Sequence, residues 1–378
     1  MQLFKCTHCS SPIYFENTQC GNCGSSLGFL PESMHPVALS PGDPYRYCAN
    51  HSQDTCNWLV PINDPSPFCK ACELNRTIPD LSKPDYVTRW KKLETAKHRL
   101  IYALLKMKLP LMSKASDPEK GLAFDFVADQ PAVTSQAPNP GQPTNQGQPS
   151  NQGQPATQGQ PTNPTQPATP AKKIFTGYQN GLITINIAEA DDIEREMARK
   201  SMHEVYRTLL GHFRHEIGHY YWERLIDASD KTDPFRKLFG DERADYKASL
   251  QRYYDTGPPA DWNEHYISAY ASSHPWEDWA ETWAHYMHIA DTLETAYSFG
   301  LSVDPLIARS SDEFKVDILA SPYNMRNFET IIKYWMPLSF ALNSLNRSMG
   351  LNDIYPFVIS EPAKEKMAFI HSLIRSRT

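Results

Sequence analysis

His215-Glu216-Ile217-Gly218-His219 decides the reading of this 378-residue chain. The two histidines stand four positions apart, about one helical turn, so on a helix both imidazoles face one point in space. Imidazole nitrogens that converge in this way suit a transition metal, most often zinc. Glu216 follows the first of them, where its carboxylate can take a proton from a water that the metal polarises. From Ile193 to about Ala228 there is no proline, and the stretch reads as one long helix. A surface helix that merely carried two histidines would give Glu216 no purpose. The motif therefore points to a metal-dependent hydrolase.

Such a site needs a third protein ligand. The compact H-E-x-x-H-x-x-G-x-x-H form would put a histidine where the chain has Leu225, so that form is excluded. Glu223, one turn past His219, is expected to point beyond the metal toward solvent. The better region is His274-Pro275-Trp276-Glu277-Asp278-Trp279-Ala280-Glu281-Thr282-Trp283-Ala284-His285. Pro275 suits a first helical turn, with Ser273 or His274 near the cap. Trp276, Trp279, Trp283 and Tyr286 recur at helical spacing as a core face. Glu277, Glu281, Ala284 and His288 form a second stripe, turned by about 100°. An acidic stripe beside an aromatic wall is odd for a solvated surface. Spacing alone leaves Glu277, Asp278, Glu281 and His285 all open as the ligand. His274, His285 and His288 read more simply as packing or outer residues.

The amino terminus carries a second chemistry. Cys6-x-x-Cys9 and Cys20-x-x-Cys23 are two knuckles at zinc-ribbon spacing. Asn22 and Gly24 suit the left-handed backbone of the second knuckle's turn. Cys48, Cys56, Cys69 and Cys72 make a looser second group, in which His51 can replace one cysteine. Four thiolates in each group suit tetrahedral zinc, so two structural zincs are expected beside one catalytic zinc. A disulfide framework is the rival. Met1-Gln2-Leu3-Phe4-Lys5 runs into the first knuckle without an apolar leader, and no apolar run reaches membrane-spanning length. Reduced thiols in the cytoplasm are the simpler account.

Thirty-one prolines is a high count, and much of the excess falls between Gln130 and Lys172, where a Gly-Gln-Pro-polar unit repeats. With almost no large apolar side chain, this tract is expected to be disordered. Gly121 to Val127 and Gly181 to Ile187 alternate as strands on either side of it. They can pair in one sheet, which makes the tract an enlarged loop inside a domain that begins near Lys83. The expected organisation is a zinc ribbon at 1–30, a second four-cysteine module at 31–82, and a catalytic domain at 83–378 with its insert at 130–172. Tyr86 to about Lys108, Asp241 to about Tyr254, Pro275 to about Phe299, Asn324 to about Leu345, and Glu361 to about Arg375 read as helices. The fold class is α+β, with a small sheet on the motif helix and a mostly helical half that supplies Glu277.

Several stretches together resemble a family of bacterial zinc-binding metallopeptidases that begin with zinc ribbons. They include Phe15-Glu16-Asn17-Thr18, Asn57-Trp58-Leu59-Val60-Pro61, Asn75 to Leu81, Gly181 to Asn186, Leu210 to Arg214, and Gly240 to Tyr246. The likeness covers nearly the whole chain outside Pro131 to Ala171. Glu277-x-x-x-Glu281 downstream of the histidine motif is similar to the gluzincin arrangement. That resemblance implies a zincin-like domain with Glu277 as third ligand, Glu281 supporting a ligand histidine, and Tyr270 as an oxyanion donor. It also implies that Leu182 to Ile187 is either a substrate-binding edge strand or an ordinary core strand.

The implied function is zinc-dependent hydrolysis of peptide or protein substrates. The alternative is an inactive zincin scaffold whose zinc ribbons bind a protein or nucleic acid. The Tyr86–Lys108 helix is basic, but residues 1–72 hold three Lys or Arg against five Asp or Glu, the wrong balance for phosphate. A protein partner, or a role in capping the catalytic domain, suits the ribbons better than nucleic acid does.

Overall fold

The computed structural model of the protein describes residues 2–129, 173–191, 208–306 and 314–376. The tract expected to be disordered (130–172) lies outside the described residues, as does the expected start of the motif helix before residue 208. Three short hairpins open the chain: β1 (Phe4–Lys5) with β2 (Pro12–Ile13), β3 (Leu27–Leu30) with β4 (His35–Ala38), and β5 (Tyr45–Tyr47) with β6 (Leu59–Pro61). Then come β7 (Asn75–Thr77), α1 (Pro84–Lys106), β8 (Ala123–Val127), β9 (Gly177–Gln179) and β10 (Leu182–Asn186). The rest is mostly helical: α2 (Leu209–Leu225), α3 (Thr232–Phe239), α4 (Tyr246–Thr256), α5 (Trp262–His265) and α6 (Pro275–Ser298). A small hairpin, β11 (Ser302–Val303) with β12 (Val316–Asp317), precedes α7 (Phe328–Ser348) and α8 (Glu361–Arg375). This is the expected α+β fold, with two cysteine modules in front.

The central sheet has the order β7-β8-β10-β9. The strands that flank the insert do pair, in parallel, from Leu182 opposite Ala123 to Asn186 opposite Val127. β9 and β10 form an antiparallel hairpin whose turn residues, Asn180 and Gly181, have φ of 48° and 76°. Left-handed residues at both turn positions match the right-handed twist of a two-residue hairpin. Of the two readings of Leu182 to Ile187, the core strand is the one the sheet bears out. β10 lies between β8 and β9, so Leu182 to Ile187 offers no free edge. The edge is β9, a three-residue strand too short to show alternation. The two ends of the insert meet beside it: Asp129 Oδ1 accepts from Ile174 N at 2.8 Å and from Asn186 Nδ2 at 2.7 Å.

Helix boundaries follow local chemistry. Thr208 is extended, and its hydroxyl accepts from Gly211 N at 3.0 Å, so α2 begins at Leu209 rather than running on from Ile193. Asp245 caps α4 in the same way, which delays that helix from Asp241 to Tyr246. α3 was not foreseen. α2 crosses α6 at Gly218, where an added Cβ would stand 3.0 Å from Ala280 Cα. Trp279 Nε1 donates to the Gly218 carbonyl across that contact at 2.8 Å.

Phe213 of α2 packs on Phe124 and Phe126 of β8, with ring centres 5.8 and 6.4 Å apart. The cysteine modules join the same core. Phe15 packs edge-on against Tyr102 of α1 at 5.2 Å, and Leu3 N donates to Ser298 Oγ of α6 at 2.6 Å. Among the described residues no helix is long and apolar enough to cross a membrane.

Candidate active site

α2, α6 and the segments around Thr176, Tyr246 and Tyr270 enclose a cleft of about 1200 Å³. His215, Glu216 and His219 line it from α2, and Glu277, Glu281, Ala284 and His288 line it from α6. The acidic stripe of α6 therefore faces the histidine motif. Trp279 and Trp283 are buried as expected, but Trp276 turns into the cleft, its ring 4.2 Å from that of His219.

The ligand atoms of His215, His219 and Glu277 all lie within 4.8 Å of one another. Glu277 Oε2 is 3.0 Å from His215 Nε2, and Glu277 Oε1 is 3.5 Å from His219 Nε2. Yet Glu277 Oε2 is buried and accepts no well-aligned hydrogen bond. A buried carboxylate facing two imidazole nitrogens, with one oxygen left unsatisfied, fits a divalent metal among them. His215 Nδ1 donates to Glu281 Oε1 at 2.6 Å, which turns its Nε2 edge toward Glu277. Ser268 Oγ donates to the other Glu281 oxygen at 2.6 Å.

Both carboxyls of the site are held in their charged form. Burial alone would raise both carboxyls. His219, His215 and the Tyr246 hydroxyl bring Glu277 down to about 2, and His215, His285 and Ser268 bring Glu281 down to about 2. Burial keeps His219 below its ordinary value; burial acts the same way on His215, but its contacts with Glu277 and Glu281 outweigh it and hold that imidazole well above its own. Glu216 is also ionised. Burial opposes this, but His212 and His215 hold its carboxyl below the usual range. His212 Nε2 stands 3.3 Å from Glu216 Oε1, while its Nδ1 donates to Glu189 Oε2 at 2.6 Å.

The other candidates find different places. Tyr270 lines the cleft with its ring 6.0 Å from that of His215. Tyr246 was not singled out, yet its hydroxyl donates to Glu277 Oε1 at 2.8 Å. No spacing ties α4 to the motif, so only the fold could reveal it. Glu223 does not reach for solvent; it accepts from Tyr178 at 2.5 Å. His274 caps α6 by accepting from Trp276 N at 3.1 Å, and His285 Nδ1 is 2.9 Å from the Tyr355 hydroxyl. Asp278 is buried against Lys366 of α8 at 2.7 Å, away from the histidines.

Each cysteine group is drawn together, with its sulfurs all within 4.8 Å: Cys6, Cys9, Cys20 and Cys23, then Cys48, Cys56, Cys69 and Cys72. All eight are free thiols. Ser10 and Gly24, not Asn22, carry the left-handed turns of the first group, at φ of 61° and 72°. His51 is not gathered with the second group: its Nδ1 is 2.9 Å from the Cys56 carbonyl, and its ring stacks on Tyr47.

A zinc-ribbon domain matches residues 3–83, and the family described as "Putative zinc-binding metallo-peptidase" matches residues 86–373. An uncharacterized protein of Mycobacterium bovis is 39% identical over 375 residues, covering 99% of this chain and 95% of its own length. Uncharacterized proteins of two Mycobacterium tuberculosis strains match to the same extent. No solved structure matches. With about three quarters of its length matched by that family and a ribbon domain ahead of it, the chain belongs to the "Putative zinc-binding metallo-peptidase" family.

Proposed function

We propose that the protein is a zinc-dependent peptidase with its catalytic zinc held by His215, His219 and Glu277. The observation that carries this reading is the Glu216 carboxylate lining the cleft beside those converging ligand atoms. Zinc bound there supplies Lewis acidity, activating water and polarising the scissile carbonyl. Glu216 accepts the water proton and returns it to the leaving amine. Glu281 orients His215, and the Tyr270 hydroxyl donates to the oxyanion that develops on the carbonyl. The free edge of β9 pairs with an extended peptide and lays it along the cleft.

In this reading the two cysteine groups hold two structural zincs, and their free thiols suit the cytoplasm. The domain division is 1–30, 31–82 and 83–378, with the second module contributing β7 to the sheet of the third. The packing of Phe15 on Tyr102 favours the ribbons as part of the catalytic body over free binding modules.

The test is Glu216→Gln, assayed on a peptide library with zinc counted by native mass spectrometry. The expected result is unchanged zinc and hydrolysis lower by roughly 10²–10⁴-fold. Unchanged turnover rejects the mechanism. Absence of hydrolysis by zinc-loaded wild type would favour the inactive scaffold.

A further inference from the structure

The second cysteine group is walled on one side by α1. We propose that Glu94, Lys97 and His98 of α1 complete this metal site from outside its four sulfurs, so that filling the site and docking α1 are one event. The proposal rests on metal binding by Cys48, Cys56, Cys69 and Cys72 and is independent of peptidase activity.

All four cysteines are buried. Four thiolates around a divalent ion leave a double negative charge, and such a charge is costly to bury without partners. Glu94, Lys97 and His98 stand at helical spacing on one face of α1. They are only 0%, 0% and 4% exposed. His98 Nε2 is 3.8 Å and Glu94 Oε2 is 3.9 Å from Cys72 Sγ. His98 Nδ1 donates to the Glu94 backbone carbonyl at 2.6 Å, which aims the other edge of the ring at the sulfur.

Lys97 Nζ lies 2.9 Å from Glu94 Oε1 and bonds the side-chain oxygen of Asn75, the first residue of β7. Asn75 Nδ2 and Trp90 Nε1 donate to the same Glu94 oxygen at 2.9 and 3.2 Å. A closed-off ammonium ion is a large demand on a helix that only has to pack. Glu94 is its direct counter-ion, and beside a negatively charged metal–thiolate centre Lys97 also offsets the like charge that the Glu94 carboxylate brings to within 3.9 Å of Cys72 Sγ. The ligand atoms of Cys72, Glu94 and His98 also lie within 4.8 Å of one another. A second metal among them is disfavoured, because Lys97 already brings a cation to Glu94.

The consequence reaches the cleft. α1 packs against α2, and β7, which follows Cys72 by three residues, is the outer strand of the central sheet. Emptying the second site should therefore loosen the support beneath the histidine motif.

The test uses the full-length protein titrated with a zinc chelator, with cysteine alkylation and hydrogen exchange both read by mass spectrometry. Cys48, Cys56, Cys69 and Cys72 should become reactive at the chelator concentration where residues 84–106 lose exchange protection. A helix that stays protected after those four sulfurs are alkylated overturns the proposal. In a second arm, Glu94→Gln/Lys97→Met removes the charged pair together, and His98→Leu removes the imidazole. Both should release the second-site metal at roughly 10- to 100-fold lower chelator, with Cys6, Cys9, Cys20 and Cys23 unaffected. Unchanged release in both variants also overturns the proposal. If neither variant folds, the wild-type titration decides it.

Discussion

Glu216 is steadied by a side chain one turn before it on the same helix. His212 stands 3.3 Å from it and is itself held by Glu189. If Glu216 is the base, its aim depends on that imidazole. His212→Ala should lower kcat by up to about 10²-fold, the scale of a misplaced catalytic group, with KM and zinc content unchanged. Steady-state kinetics with native mass spectrometry on the same samples would check this. A parallel loss of zinc would instead mean that His212 supports the ligand set. The gathering of His215, Glu216 and His219 was legible because helical spacing places side chains without help from tertiary structure. Glu277 and Glu281 were legible as a stripe on one helix, but choosing between them needed the family resemblance. His212, Glu189 and Tyr246 were not legible as one site. Their approach depends on where α4 and the end of β10 pack, and no local pattern records that.

At the scale of elements, the site depends on how closely α2 and α6 approach. Gly218→Ala would drive a methyl group to 3.0 Å from Ala280 Cα, a backbone atom that cannot swing aside. Overpacking of this kind should destabilise the fold by about 1–3 kcal/mol, measured as a drop in Tm. α8 acts at the other side of α6. Lys366 donates to Asp278 at 2.7 Å and to the His265 carbonyl at 2.9 Å, tying down the segment that presents Ser268 and Tyr270. Burial already raises the Asp278 carboxyl to about 7, so in Lys366→Met it takes up a proton, and the loss should be about 1–3 kcal/mol, the cost of a buried polar group without its partner. Chemical denaturation would check this. The helices α6 and α8 were readable because Pro275 and Glu361-Pro362 mark their starts and apolar residues repeat along them. α3 and the late start of α4 were missed, since Asp245 looks like any first-turn acid until its cap bond is seen. β9 was missed because three residues are too few to alternate.

For the whole molecule, the question is what the segment between β8 and β9 contributes to stability. Asp129, Ile174 and Asn186 hold its two ends together whatever lies between them. Deleting residues 133–170 should leave this clip intact and raise stability by on the order of 1–2 kcal/mol through cheaper loop closure. A lower Tm, or loss of cooperative melting, would show that the segment contributes contacts of its own. The pairing of β8 with β10 was foreseen from two alternating stretches, though not its parallel sense, and ribbons capping the catalytic domain were one of two readings, though not the contacts by which they do so. Sequence separates Phe15 from Tyr102 and Leu3 from Ser298 by distances that only folding removes. The clip also makes the polypeptide divisible. A chain cut within 133–170 by an engineered protease site would yield two pieces still joined through β8 and β10. Expressed separately, those pieces could form a complementation pair, in which the amino-terminal half carries both cysteine groups and the carboxy-terminal half carries the histidine motif.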